Sequence, residues 1–210
     1  MHRRNQWLCA GVAAALLAPA PLFAAGVGNG IYLEFGGGTG EFEWDDANDS
    51  EDIDAGLASF GYALDTAPLG PRVFNYRLNV GLASQNLDFD DNGVEADVGG
   101  IQVDNIFGFR IISNDRVRWW AGPSVRVGLY GGDYDADTDW IDGEDLAYFE
   151  FALGGATGVN IDLGGVILSP SVAWRSHGFA GSDDVDGWGG IGGDFSGNHQ
   201  TMTFNTALLF

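Results

Sequence analysis

The acidic segment from Asp133 to Asp145, DYDADTDWIDGED, carries seven carboxylates in thirteen residues. Carboxylate oxygens are the ligands that Ca²⁺ and Mg²⁺ prefer. Four of the acids occupy positions 1, 3, 5 and 12 of the EF-hand loop pattern: Asp133, Asp135, Asp137 and Glu144. Position 6, which requires Gly, is Thr138. The segment therefore predicts a weak Ca²⁺ or Mg²⁺ site at the protein surface, with a solvated acidic loop as the alternative.

His177 is the first candidate for nucleophilic catalysis, because Ser176 precedes it directly. A catalytic serine needs a base within hydrogen-bond reach. Adjacent residues of a strand point to opposite faces, and the position that would bring a hydroxyl to the same face is Phe179. By this alternation His177 points inward, into the interior of the β-barrel that is predicted below. The pattern argues against a serine hydrolase.

The two histidines His177 and His199 flank an acidic segment and are candidate ligands of a zinc site. Imidazole nitrogen and carboxylate oxygen are both common zinc ligands, and Asp183 or Asp194 could complete such a site. The alternative is that both histidines are polar residues at the rim of the fold.

The elements that must position these residues are strands. After the first thirty residues the sequence alternates between apolar and polar or small residues in segments separated by turn signals. Eight such segments are predicted: Ile31–Trp44, Ala55–Asp65, Val73–Leu87, Gly99–Ile112, Val117–Tyr130, Leu146–Ile161, Val166–Phe179 and His199–Phe210. Long acidic connections follow the odd-numbered strands and short turns follow the even-numbered ones. This rhythm predicts an all-β fold, an eight-stranded antiparallel up-and-down transmembrane β-barrel.

The two faces of each predicted strand differ in size as well as polarity. On the fifth strand, for example, Val125 and Val127 share one face, and Ser124 and Arg126 share the other. The interior of an eight-stranded barrel is just wide enough for side chains to fill it. Rows of large apolar residues would crowd that space, whereas small and polar residues fit. The apolar face is therefore predicted to point outward, into lipid.

Charged residues on the inward face must be paired or hydrated, because an unpaired buried charge costs several kcal/mol. The sequence predicts an interior ion-pair network of three carboxylates and three guanidinium groups: Glu34, Arg77, Asp104, Arg126, Glu150 and Arg175. Solvation of several of them near the rims is the alternative. Aromatic girdles are expected to include Tyr130 and Tyr148 at one rim and Phe74 and Trp119 at the other.

The composition and the N-terminal segment limit the classes of protein to which this chain can belong. The chain of 210 residues has a formal charge of −21 and no Lys, so it lacks the clustered cations that nucleic acids require. A positive MHRRNQ, an apolar WLCAGVAAALLA and a PAPLFAA cleavage region predict a signal peptide over residues 1–24 and a barrel over 25–210. The single cysteine, Cys9, lies in that peptide, which excludes disulfides from the mature chain.

The signal peptide, the eight alternating segments, the alternating connection lengths and the final TFNTALLF together resemble the small eight-stranded outer-membrane barrels of the OmpA and OmpX type. The resemblance implies an outer-membrane location with extracellular loops and periplasmic termini. It implies that Phe204, Leu208 and Phe210 form the signal that the outer-membrane assembly machinery recognises. Outer-membrane lipid and lipopolysaccharide are the other expected partners, besides an extracellular partner that the sequence does not identify.

The function predicted from these features is that of a non-enzymatic outer-membrane barrel with a structural, envelope or surface-recognition role. A narrow porin-like channel for small solutes or ions is the first alternative, because the predicted interior is polar. A lipid-modifying outer-membrane enzyme is the second. No cofactor is expected apart from Ca²⁺ or Mg²⁺ weakly bound at the surface.

Overall fold

The computed structural model describes residues 27–44, 50–89, 94–136, 142–183 and 194–210. It contains eight strands: β1 Gly28–Trp44, β2 Ser50–Asp65, β3 Phe74–Phe89, β4 Val94–Ser113, β5 Val117–Ala136, β6 Asp142–Asp162, β7 Ile167–Asp183 and β8 Asp194–Leu209. Each strand pairs antiparallel with its sequence neighbours, and β1 also pairs with β8, so the sheet closes. The predicted eight-stranded antiparallel barrel is confirmed. No helix among the described residues is long and apolar enough to cross a bilayer.

Short turns join the strands at one end of the barrel, here called the turn end. In the β4–β5 turn the Asn114 side-chain oxygen accepts hydrogen bonds from the backbone of Arg116 at 2.9 Å and Val117 at 2.8 Å. The β6–β7 turn contains Gly164 and Gly165, whose φ angles of 89° and 112° favour glycine. Both chain ends of the barrel lie at this end, since Asn29 and Phe210 exchange backbone hydrogen bonds.

An outward-facing apolar belt surrounds the half of the barrel nearest the turn end. Every strand contributes exposed large apolar side chains, such as Leu33 and Phe35 on β1, each 62% exposed. On β8 the outward residues Met202, Phe204 and Leu208 belong to the belt. Most inward neighbours on the same strands are small or polar, and a few large side chains such as Ile106 and Trp120 are buried among them. This arrangement follows from strict alternation along each strand.

The strands continue beyond the belt, and there the two faces exchange polarity. On β1 the outward residue Glu41 is exposed, and the inward residue Phe42 is fully buried. On β2 the outward Asp54 is likewise exposed and the inward Ile53 buried. The same exchange occurs on β3 and β4. The half of the barrel away from the turn end, here called the extension, thus has the polarity of a water-soluble barrel.

The extension corrects two predictions made from the sequence. The strands reach several residues further than the alternation suggested, so acids assigned to long loops lie on strands. Tyr130 and Tyr148 do not belong to an outer girdle, because both are buried inside the barrel and their rings stack 5.1 Å apart. Phe74 and Trp119, expected at the other rim, are exposed on the outer surface. Trp119 also donates a hydrogen bond from its indole nitrogen to Thr157 at 2.9 Å.

Candidate functional site in the barrel interior

Four buried charged residues meet near the middle of the barrel and form the central charge cluster: Glu34 on β1, Asp104 on β4, Arg126 on β5 and Arg175 on β7. Each lies on the inward face of its strand. Asp104 and Arg126 are opposite each other on neighbouring strands, and closure of the sheet brings Glu34 and Arg175 to them across the lumen. Two carboxylates and two guanidinium groups cancel in formal charge. Such balance is what permits ionised groups to remain buried.

The contacts within the central charge cluster are those of charge-assisted hydrogen bonds. Arg126 donates to both oxygens of Asp104, at 2.9 and 2.7 Å, and also donates to Glu34. Arg175 lies 3.1 Å from Asp104 and 3.9 Å from Glu34. Arg175 also donates to the Thr203 hydroxyl at 3.0 Å. The cluster ties four strands together across the lumen.

A second polar cluster fills the lumen at the turn end. Arg77 lies 3.1 Å from the Asp65 carboxylate and donates to Asn160 at 3.1 Å. The Arg77 guanidinium carbon lies 4.7 Å from the centre of the Trp120 ring, a cation–π arrangement. Trp120 in turn donates its indole N–H to Asn160 at 3.0 Å. All four side chains are buried, so this end of the interior is filled as well.

The histidine cluster consists of Glu150 on β6, His177 on β7 and His199 on β8, all buried. His177 and His199 are directly opposite each other on paired strands, and their rings stack with centres 4.2 Å apart. Nδ1 of His177 lies 3.0 Å from Oε1 of Glu150, and Nε2 of His199 lies 3.7 Å from Oε2. Titratable groups from three neighbouring strands therefore meet at one point.

Further polar side chains orient the members of this cluster. Gln85 donates to Oε2 of Glu150 at 3.0 Å, and its own amide oxygen accepts a hydrogen bond from the Tyr148 hydroxyl at 2.7 Å. The Thr201 hydroxyl lies 2.7 Å from Nε2 of His177. Both Glu150 and His177 are thus held by a second group whose position is fixed by its own strand.

Aromatic rings close the interior on the extension side of the histidine cluster. Phe42 packs against Phe89, Phe179 and Phe195 at centre-to-centre distances of 5.0 to 5.8 Å. Phe179 also lies 5.7 Å from His199. Buried aliphatic residues, including Ile53, Leu87 and Leu146, complete the same core. This aromatic cap is the hydrophobic core of the extension, and it separates the polar interior from that end of the barrel.

Thr201, His177 and Glu150 form a hydroxyl–imidazole–carboxylate chain, the order of groups found in hydrolase triads. Its surroundings differ from those of a hydrolase site. Thr201 is buried inside the lumen beneath the aromatic cap, and Ser176, beside His177, is exposed on the outer face. A substrate would have to enter a filled interior to reach Thr201. In this arrangement Thr201 is better placed to orient His177 than to attack a substrate.

The six residues predicted for an interior ion-pair network all have buried side chains, but they fall into three groups. Glu34, Asp104, Arg126 and Arg175 come together. Arg77 lies at the turn end with Asp65. Glu150 has the two histidines within 4.0 Å, and none of the described guanidinium groups is that close to it.

The other candidate residues lie outside the interior or beyond the described part of the chain. The three residues of the predicted assembly signal, Phe204, Leu208 and Phe210, are exposed on the outer surface. In the acidic segment, Asp137 is outside the described residues, and the structure describes no side chain for Asp133, Asp135 or Glu144. The proposed zinc partners Asp183 and Asp194 also have no described side chain. The structure places Glu150 beside the histidines instead.

Sequence reasoning overlooked Asp65 and the meeting of Glu150 with both histidines. Asp65 shares the inward face of β2 with Ser59 and Ala63, so alternation alone could have identified it. The pairing of Glu150 with His177 and His199 required knowing how β6, β7 and β8 are staggered. Alternation does not carry that information, because it gives the face of a residue but not its height in the barrel.

Comparisons with known proteins add little beyond the fold. No model of a known protein family and no curated protein matches this sequence. Among solved structures, the crystal structure of the outer membrane protein OprG from Pseudomonas aeruginosa is similar, with 12% identity and a TM-score of 0.46. The match covers 86% of this chain and 96% of OprG. A likeness this weak carries no argument about function, and the closed topology rests on the strand pairing described above.

Proposed function

We propose that this chain is an outer-membrane β-barrel with a structural role in the cell envelope, that it conducts no solute, and that it catalyses no reaction. In this arrangement the apolar belt lies in lipid, the turn end faces the periplasm and the extension projects from the cell. The observation that carries the proposal is the exchange of polarity along the strands, from apolar-outside in the belt to acidic-outside in the extension.

The belt has the dimensions that a bilayer requires. A transmembrane strand needs about 9–11 tilted residues. On β8 the outward apolar residues lie in a segment nine residues long, from Met202 to Phe210. Lipid tails cannot form hydrogen bonds with free backbone N–H and C=O groups, and no water is present to do so. Closure of the barrel pairs the backbone groups of the two edge strands with each other. The apolar outer surface and the fully paired backbone of this half of the molecule both fit a lipid environment.

The filled interior supports a structural role over transport. The turn-end cluster, the central charge cluster and the aromatic cap follow one another along the lumen. An ion would have to displace the Arg126–Asp104 contact and the Phe42 packing to pass. The narrow channel considered from the sequence would need both to open.

Outward acids on β1 to β4 line one side of the extension just above the belt and form the acidic collar: Glu41, Asp52, Asp54, Asp88, Glu95 and Asp97, all exposed. Several of them oppose one another directly across paired strands, as Glu41 does Asp52 and Asp88 does Glu95. Like charges in such positions destabilise a sheet unless counter-ions are present. We infer that the collar recruits Ca²⁺ or Mg²⁺, shared with the phosphate groups of lipopolysaccharide.

Cell fractionation tests the location. The protein is expected in the outer-membrane fraction and, on gels, at different positions when heated and unheated. Recovery as a soluble periplasmic protein would contradict the proposal. Planar-bilayer recordings of refolded protein test conduction, with no steady conductance expected. Steady openings altered by Arg126→Met or Glu150→Gln would instead establish the channel alternative.

The collar is tested by the effect of divalent cations on stability. Millimolar Mg²⁺ is expected to raise the unfolding midpoint of the refolded barrel more than Na⁺ at the same ionic strength. A variant with Glu41→Gln, Asp52→Asn and Asp54→Asn should lose most of that difference. An equal response of both proteins would remove the collar from the proposal while leaving the membrane location intact. Lipid analysis of cells carrying His177→Ala tests the enzyme alternative, with no change expected.

A further inference from the structure

The histidine cluster differs from the central charge cluster in its source of positive charge. The central charge cluster is neutral as a whole, whereas Glu150 has only the two imidazoles as basic partners within 4.0 Å among the described residues. A buried carboxylate requires compensation by a cation. Protonation of both histidines would place two positive rings 4.2 Å apart, which repulsion opposes. One protonated imidazole would balance the single negative charge of Glu150, and a divalent cation bound by all three groups is another source of positive charge.

The donor set is that of a transition-metal site. His₂Glu is a known three-ligand zinc set, with ligand distances near 2.0–2.2 Å. Two ligands of a tetrahedral ion at those distances lie roughly 3.4 Å apart. The Glu150 oxygens lie 3.0 Å from the His177 nitrogen and 3.7 Å from the His199 nitrogen, and one donor atom from each residue falls within 4.8 Å of the others. A shared ion requires the two imidazole rings, which stack with an interplanar angle of 18°, to turn until their nitrogens converge on it.

The contacts around the cluster are also those of a metal site. Ligating histidines generally donate their second ring N–H to an oxygen, and ligating carboxylates are themselves hydrogen-bonded. Thr201 stands 2.7 Å from Nε2 of His177, so Nδ1 is left for the ion. Gln85 bonds Oε2 of Glu150. Although Nδ1 of His177 and Oε1 of Glu150 are 3.0 Å apart, neither has a partner at hydrogen-bond angles among the described residues.

We propose that Glu150, His177 and His199 bind one Zn²⁺ ion inside the barrel, with Thr201 and Gln85 as the groups that orient the ligands. The ion joins β6, β7 and β8 between the central charge cluster and the aromatic cap. Imidazole ligands favour zinc over the Ca²⁺ and Mg²⁺ expected at the acidic collar. The zinc site would form in whichever membrane the barrel resides.

The test uses the barrel over residues 25–210 without a histidine tag, so that His177 and His199 are its only histidines. The protein is refolded with Zn²⁺ in the presence of excess Mg²⁺, then desalted, and its metal content is measured. About one Zn²⁺ per chain is expected. Refolding with Co²⁺ should give visible absorption bands of a low-coordinate nitrogen–oxygen site. An absence of both retained zinc and cobalt bands in the wild-type protein would overturn the proposal.

Variants assign the ligands. His199→Gln and His177→Gln are each expected to weaken Zn²⁺ binding at least 100-fold, and Thr201→Val to weaken it about 10- to 100-fold through lost orientation. The triple collar variant described above is the matched control and should bind as tightly as wild type. Heat-dependent gel migration verifies folding of each protein. Unchanged zinc affinity in folded His177→Gln or His199→Gln would overturn the assignment, and the wild-type cobalt spectrum decides the case if these variants fail to fold.

Discussion

Arg126 donates two hydrogen bonds to the Asp104 carboxylate, and both side chains are completely buried. The same guanidinium contacts Glu34, so one cation serves two carboxylates from different strands. Removing it leaves uncompensated negative charge in the interior. The interaction therefore has a direct consequence for stability.

Arg126→Met is expected to lower the free energy of unfolding by about 3–5 kcal/mol, because breaking one side of a buried ion pair leaves the other side unpaired. Urea titration of the barrel refolded in lipid vesicles measures this. Arg116→Met is the control, since Arg116 is exposed in the β4–β5 turn, and it should change stability by no more than about 0.5 kcal/mol. Similar losses for the two variants would argue against the central charge cluster.

The polarity exchange predicts opposite outcomes for one substitution at two outward positions of β1. Leu33→Arg places a cation in the apolar belt and is expected to cost about 2–4 kcal/mol near the bilayer midplane. Glu41→Arg, in the extension, should not destabilise the barrel, because it replaces a like-charge pair with Asp52 by an attractive one. Urea titration in lipid vesicles measures the free energy of unfolding of both variants. A comparable cost at Glu41 would mean that the belt continues through the extension.

Adjacent tryptophans on β5 report the two faces separately. Trp119 is 42% exposed on the outer surface, and Trp120 is completely buried beside Arg77. In vesicles with brominated acyl chains, Trp119→Phe is expected to reduce the fraction of fluorescence that the lipid quenches. Trp120→Phe should instead reduce the unquenched fraction. The reverse pattern would mean that the barrel is oriented inside out relative to the structure.

Gly158 on β6 tests how closely the turn end of the interior is packed. A Cβ atom there would lie 2.6 Å from both the Trp120 ring and Cβ of Ser171. Gly158→Ala is therefore expected to cost about 1–3 kcal/mol through overpacking. Gly178→Ala on β7 is the control, because no atom lies within 4 Å of its added Cβ. Equal stability of the two variants would indicate a looser interior around Trp120.

Alternation in the sequence was sufficient for the eight strands and for the inward direction of residues such as Glu34 and Arg126. Period two reports the face of each residue directly, and turn residues mark where the chain reverses. Most strands were predicted too short in the extension, since β2 begins at Ser50 rather than Ala55 and β5 ends at Ala136 rather than Tyr130. There the apolar residues move to the inward face, as with Ile53 between Asp52 and Asp54, and an alternation that assumes lipid outside the whole barrel does not identify them as strand residues.

Which inward residues meet could not be derived in the same way. Contacts across the lumen depend on the stagger between strands, a property of the closed sheet as a whole. Arg77 was expected among the central ion pairs, yet it lies at the turn end with Asp65. Glu150 was expected beside a guanidinium, yet the stagger of β6 and β7 brings it to His177.

The contact between Glu34 and Arg126 spans 92 positions of the chain, and its two strands are not neighbours in the sheet. Contacts so distant in sequence form slowly, because the chain must lose the entropy of the intervening loop before it gains them. Until β1 meets β8, an inserting intermediate exposes its ionised side chains on an open sheet. Asp104 and Arg126 can pair earlier, because they are opposite each other on the neighbouring strands β4 and β5. Closure should therefore complete the neutralisation of the interior late, when Glu34 joins this pair across the lumen.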